Sequence, residues 1–295
     1  MERLSLSCVL LLLLGRLNQY YVMATPETYW ADAFPNTPIP DVIHARLHPV
    51  PSGLQHAISD NRDPRFMYDK FSKKHRGPNE TTLFLEEDLK VGMKKLFHFY
   101  KSDFNNASPF LSREVADTVP FSSAEIPHIL QHFMLPPASS EAYEVRGTLS
   151  LCESLEAKDK CLTSLEAMID YTTPTSMDHN ITMLHTNIEA PSVLLAYTVK
   201  KLVRKATKPN SAVCHNMPYP YAVYLCHYIG EGRIYQVSYE GEDGSMVEGI
   251  VSCHENLKNW SMPVWYQALP AGVKKADHML ACHTLPDTHI VWASD

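Results

Sequence analysis

Four cysteines of this chain are each followed directly by a histidine: Cys214-His215, Cys226-His227, Cys253-His254 and Cys282-His283. Histidine fills 15 of 295 positions, so six cysteines with random neighbours would give about 0.3 such pairs. Thiolate and imidazole are the usual zinc ligands, and together they also suggest a nucleophile beside its base. Zinc is the weaker reading, because no C-x2-C or finger spacing is present. The nucleophile reading fails on geometry, since neighbours on an extended strand point to opposite faces. That alternation instead allows the sulfurs to enter the core and staple a sheet, while the imidazoles gather on a common surface or cleft. Two readings of the histidines stay open: ordinary groups bonded to backbone carbonyls, or an imidazole metal site with His215, His227, His254 and His283 as ligands. Imidazole without thiolate favours copper(II) over zinc in the affinity order.

The elements that position these residues depend on the compartment. Glu2 and Arg3 precede an apolar run from Leu4 to Leu14, too short to span a bilayer and placed where a secretory signal sits. Val22-Met23-Ala24 offers a small-residue cleavage pattern, so residues 1–24 are expected to be a signal peptide and the mature chain secreted, with no membrane attachment afterwards. Six cysteines remain, at 152, 161, 214, 226, 253 and 282, an even number suited to disulfides in an oxidising space. Cys152 and Cys161 flank a short charged stretch and read as a local bridge, whereas the four Cys-His cysteines allow three connectivities. Sequons at Asn79, Asn106, Asn180 and Asn259 are candidate glycosylation sites. A net charge of −7 and the lack of an extended basic cluster argue against nucleic acid, and the run from Lys200 to Lys205 reads as a solvated face.

Residues 25–82 are rich in Pro, Asn, Asp and His with no sustained period, which predicts an extended or disordered leader. A domain is expected over 83–295. "LFLEEDLKVGMKKLFHF" reads as a strand, a turn at Gly92 and a second strand. Ser122 with Glu125, and Thr163 with Glu166, form capping-box patterns ahead of two short amphipathic helices. Beyond Thr182 the period becomes two, in "AVYLCHYI", "RIYQVSY" and "MVEGIVSCH", with glycine-bearing turns at 230–232 and 241–244. The fold class is therefore α+β: one disulfide-stapled domain, helices early and a largely antiparallel sheet carrying the four pairs. Tyr219 and Tyr221 share one face of an extended segment and Tyr224 takes the other, an arrangement assigned to packing. His128 and His132 lie four apart on a helix and read as an exposed face rather than ligands.

The spacing CH-x10-CH-x25-CH-x27-CH followed by eight residues and Trp292 resembles the plant BURP domain. "FLEEDLKVGMKKLFHF" is similar to that family's domain opening, "PFSSAEIPHIL" and "CLTSLEAMIDY" to its middle blocks, and "YPYAVYLCH" and "LPDTHIVW" to the surroundings of its pairs. "PETYWADAFPNTPIP" resembles the segment that follows the signal peptide in many members.

The resemblance implies a secreted plant protein of the apoplast or cell wall, linked to development and stress responses. One branch resembles a noncatalytic polygalacturonase subunit, with wall polysaccharide or a wall protein as partner. Other members are copper-dependent peptide cyclases that crosslink Tyr or Trp side chains, often in their own leader. For this chain the resemblance implies copper at the four histidines. The leader offers only Tyr29 and Trp30, in the shared segment, and Phe66, Tyr68 and Phe71 in "PRFMYDKF". The expectation is accordingly a noncatalytic wall protein that binds copper, with a cyclase acting on its own leader or on a peptide in trans as the alternative.

Overall fold

The computed structural model describes residues 25–48, 83–104, 107–155, 157–173, 181–189, 194–205, 208–254 and 280–294. The expected signal peptide, the aromatic stretch 66–71 and the asparagines of all four sequons lie outside them.

Alternating apolar residues build two antiparallel sheets. The larger contains β1 (Leu83–Leu85), β2 (Lys94–Phe97), β5 (Asn187–Ile188), β6 (Leu195–Lys205), β9 (Arg233–Gly241), β10 (Met246–His254) and β11 (Ala281–Thr284). Its order is β1-β11-β10-β9-β6-β2, with β5 paired to β10. The smaller runs β3-β8-β7-β12-β4, from β3 (Lys160–Leu162), β4 (Ile181–Leu184), β7 (Ala212–Met217), β8 (Val223–Tyr228) and β12 (Ile290–Ser294). The α+β class with disulfides and early short helices thus holds, and the expected single sheet is two. Gly92 and Gly244 sit at turns with φ of 90° and 83°, in the left-handed region open to glycine. The strands on either side of Gly92 do not pair: β1 joins β11 and β2 joins β6, at opposite edges of the large sheet.

The two sheets face each other across Val213, Val291 and Ala293 on one side and Ile234, Ile250 and Leu285 on the other. The outer face of the small sheet, with Cys214, Cys226, Tyr224 and Trp292, is covered by α6 (Leu165–Thr172) and by leader residues. The outer face of the large sheet carries Phe97, Tyr197, Val237, Tyr239, Val251, Cys253 and Cys282 in a separate core. A third core joins α4 (Ile126–His132) and α5 (Ser140–Glu153) to Tyr219, Tyr221 and Val223, while Tyr224 faces away into the first. A short helix, α3 (Arg113–Ala116), precedes α4.

The leader is not extended throughout. Residues 25–48 form α1 (Pro26–Ala33) and α2 (Asp41–Leu47). Thr25 caps α1 by accepting from Thr28 N, and Pro26 stands at the first turn, where its missing N–H costs nothing. This segment has too few apolar residues for a core of its own, so composition alone predicts disorder; it orders because the domain supplies the other half. Trp30 is buried against Phe34 and Trp292, with ring centroids 4.9 and 6.0 Å away, and donates from Nε1 to Thr37 O at 2.9 Å. Val42, Ile43 and Arg46 of α2 are also buried.

The caps differ in detail from the expected boxes. Ser164, not Thr163, caps α6 by accepting from Ala167 N, while Glu166 accepts from Arg113 N at 3.2 Å. Ser122 caps a short 3-10 turn ahead of α4; Glu125 turns to His128, and Glu153 of α5 accepts from Ser123 N at 2.6 Å. Long-range carboxylates thus replace the reciprocal bond of a capping box.

Trp30→Ala should lower stability by about 3–5 kcal/mol, the range for truncating a buried aromatic. Urea unfolding of the protein checks this, and a loss under about 1 kcal/mol would mean that the leader helix is not docked.

Candidate functional site

The Cys-His dipeptides occupy adjacent strand pairs. Cys214 stands directly opposite Cys226 on β7 and β8, and Cys253 opposite Cys282 on β10 and β11. Each facing pair is a disulfide, with Cα separations of 4.1 and 4.0 Å, and Cys152–Cys161 ties α5 to β3. Of the three connectivities open to the Cys-His cysteines, this is the one in which each strand pair is closed on itself.

Because the side-chain period is two, each following histidine turns to the other face of its sheet. His215 lies opposite Leu225 and His227 opposite Val213, so the two imidazoles are diagonal neighbours within reach of one another. His254 and His283 repeat the relation on the larger sheet. The inward faces of the two sheets oppose each other, so the four rings meet between them rather than on a surface or cleft. His215 Nε2 is 3.2 Å from His227 Nε2, and His254 Nε2 is 3.2 Å from His283 Nε2. Across the gap, His227 and His254 centroids are 5.2 Å apart and those of His215 and His283 6.1 Å. Ser252 Oγ lies 3.1 Å from His254 Nε2.

A fifth histidine completes the cluster. His289, just before β12, has its Nδ1 3.0 Å from His215 Nδ1 and its ring at 84° to that of His215. It is not preceded by cysteine, so a search for the dipeptide misses it. Its signal is in the register: Ile290 pairs with Cys214, and one residue further along that ladder sets His289 opposite His215. The loop before it is pinned by Asp287, which accepts from Ser102 N at 2.8 Å and Ser102 Oγ at 2.6 Å. Arg46 of α2 donates to Ser108 O at 3.0 Å and lies 5.9 Å from the centre of the Tyr224 ring. His128 is exposed and pairs with Glu125, and His132 packs edge-on against Phe133, both away from the cluster.

All five buried imidazoles are held neutral. Burial is the leading cause for each, pushing His215, His254 and His283 well below the usual value, with neighbouring histidines adding to it. His227 falls to about 4, opposed by its bond to Tyr228 O, and His289 to about 3, helped by the Arg46 cation. Neutral imidazole is the form that ligates metal.

The donor set is imidazole alone, because the neighbouring sulfurs are spent in disulfides; a Cys-His zinc site is thereby excluded at these positions. Among the described residues no group of three or more His, Cys, Asp or Glu is arranged to hold one ion. The cluster offers two-nitrogen clamps instead. Two nitrogens bound at about 2.0 Å with a tetrahedral angle lie roughly 3.3 Å apart, which matches the 3.2 Å separation in both pairs. The histidines therefore fit a metal as two pairs.

Paired antiparallel strands, each stapled at facing cysteines and stacked to enclose the following histidines, define the class of this domain. The chain belongs to the BURP domain family, whose profile matches residues 82–294. It is 36% identical over 226 residues to BURP domain-containing protein 3 of Oryza sativa subsp. japonica, covering 74% of this chain and 52% of that protein. It is 30% identical over 301 residues to BURP domain-containing protein 2 of the same plant, covering 98% of each. With BURP domain protein RD22 of Arabidopsis thaliana it shares 31% identity over 238 residues, 78% of this chain and 60% of that one. The chain thus spans about half to three fifths of two of these relatives and nearly the whole of the third.

The depressed histidines dictate a pH dependence. Between each folded value and the unfolded value near 6.5, the unfolded chain binds more protons than the native one, so stability falls as pH drops, by up to ~1.4 kcal/mol per unit for each histidine. The window opens near 6.5 and extends to about 4 for His227 and about 3 for His289. Asp287, raised by burial, works in the opposite sense, being one group against five. The urea midpoint should fall between about pH 7 and about pH 5; a midpoint that stays level would show that the imidazoles are not buried neutral.

Proposed function

We propose that this is a secreted plant protein of the apoplast or cell wall, acting in development or stress responses, whose Cys-His histidines bind copper. The observation that carries the reading is the pair of buried clamps, His215 with His227 and His254 with His283, each with its nitrogens 3.2 Å apart. An all-imidazole donor set suits copper(II) by softness and affinity order. Family membership, the signal-like N-terminus of the sequence and three disulfides support an oxidising, extracellular setting. No helix among the described residues is long and apolar enough to cross a membrane. Bound copper would supply a redox-active centre; the chain's own part is to present neutral nitrogens and to exclude water from them.

The principal role is noncatalytic, with wall polysaccharide or a wall protein as partner. A copper-dependent peptide cyclase is the second reading, and the leader constrains it. Trp30 is built into the core and the Tyr29 hydroxyl donates to Asp170, so both aromatics of the PETYW segment already have structural duties. A self-processing cyclase would have to use Tyr68 of "PRFMYDKF", beside Phe66 and Phe71; otherwise a cyclase would act on a peptide in trans.

Metal analysis after mild copper loading tests the site. The parent should retain stoichiometric copper, and a folded variant with His215, His227, His254 and His283 replaced by glutamine should retain none. A folded parent without copper would sink the reading. Copper-loaded protein under air should keep its mass; loss of the hydrogens released by a crosslink would move the cyclase ahead.

A further inference from the structure

The hydrogen bonds around His215 admit one arrangement of protons. His227 Nδ1 contacts Tyr228 O at 3.3 Å, and a carbonyl only accepts, so the His227 proton is on Nδ1 and its Nε2 is bare. The 3.2 Å contact between His215 Nε2 and that bare nitrogen then requires the proton of neutral His215 to be on Nε2. His215 Nδ1 is bare in turn, and its 3.0 Å contact with His289 Nδ1 requires an N–H on His289 Nδ1. The metal-free cluster is a directed chain: His289 donates to His215, His215 to His227, and His227 to Tyr228 O.

That chain occupies the nitrogen which the clamp needs. For His215 Nε2 to serve as a ligand, its proton must move to Nδ1, where the acceptor facing it is His289 Nδ1. His289 must then carry its own proton on Nε2. Three protons are shared by three neutral rings before and after, so the exchange releases none. His227 needs no change, because its Nε2 is already bare.

We infer that His289 is a positioning residue of the cluster: through the Nδ1 to Nδ1 contact it donates to His215 in the metal-free chain, and it must turn acceptor at that contact before His215 Nε2 is freed and the His215–His227 pair opens to a metal. The metal half of this inference rests on the copper reading above; the proton assignment does not. Geometry makes the role one of support, since His289 meets the side of His215 remote from the clamp nitrogen. An outer partner of this kind typically changes metal affinity about 10–100-fold when removed.

Long-range proton–nitrogen correlation NMR on the nitrogen-labelled, full-length secreted protein reads each tautomer directly. Without metal, His215 should be the Nε2–H form and His289 the Nδ1–H form; the opposite assignment for His215 overturns the inference, with no variant needed. Addition of Zn2+ as a diamagnetic probe should convert His215 to Nδ1–H and His289 to Nε2–H. His289→Leu should weaken copper binding about 10–100-fold in a chelator competition, and His289→Gln, whose carbonyl can accept from His215 Nδ1, should restore most of it. Equal affinities for parent and His289→Leu would overturn the role. A parent that binds neither ion would defeat the copper reading alone, because the metal-free tautomers still decide whether His289 donates to His215.

Discussion

A disulfide between directly facing residues of two antiparallel strands fixes the register of that pair, and register decides the face of every side chain on it. Here the bond closes Cys214 on Cys226 and Cys253 on Cys282. A slip of one residue would exchange the cysteine and histidine faces, so the staple guards the placement of the imidazoles as well as the strands. The sulfurs go outward into cores lined by Tyr224 and Trp292 on one sheet and Tyr239 and Val251 on the other. The imidazoles go inward. The repeated dipeptide is a local instruction that needs only the alternation of a strand to be carried out twice.

Burying five imidazoles works against the sandwich unless each is neutral and bonded. A neutral ring that keeps its hydrogen bonds costs little to bury, whereas an isolated buried charge costs far more, so the proton is given up. The apolar seam formed by Val213, Ile234, Ile250, Leu285 and Val291 holds the sheets together next to the cluster. Its driving force is nondirectional and leaves the orientation of the rings to the hydrogen bonds. Division of labour follows: apolar contacts set the separation of the sheets, and the imidazole chain sets the direction of each nitrogen.

What could be read from the sequence divides along the same line between local and distant causes. The opposite faces of Cys214 and His215, the strands at 223–228, 233–241 and 246–254, and the turn at Gly92 follow from neighbours in the chain and were legible. The partners of the four Cys-His cysteines, the separation of β1 from β2 and the division into two sheets depend on which strands pair, which periodicity does not encode. The importance of His289 comes from the register of β12 against β7, not from its neighbours, so no local pattern marks it. Residues 25–48 order against their own composition because Trp30 and Arg46 find their surroundings in the domain. Ser164 took the cap from Thr163, a shift of one residue that propensity does not resolve.

The loop from Leu285 to His289 is where these distant causes converge. Thr186 Oγ1 donates to Leu285 O at 2.6 Å and accepts from Ile250 N at 3.0 Å, tying the loop to the large sheet. Tyr224 OH donates to Thr288 O at 3.3 Å from the small sheet, and Ser102 holds Asp287 from the segment after β2. Arg46, delivered by the leader helix, packs on the Tyr224 ring and places its cation close enough to depress His289 and to draw Asp287 toward its charged form. The single unpatterned histidine is thus fixed by contributions from both sheets and from the leader. A segment that composition assigns to a linker becomes part of the support of the cluster, and the leader's aromatic and basic residues have a structural reason to be where they are whether or not the domain performs chemistry.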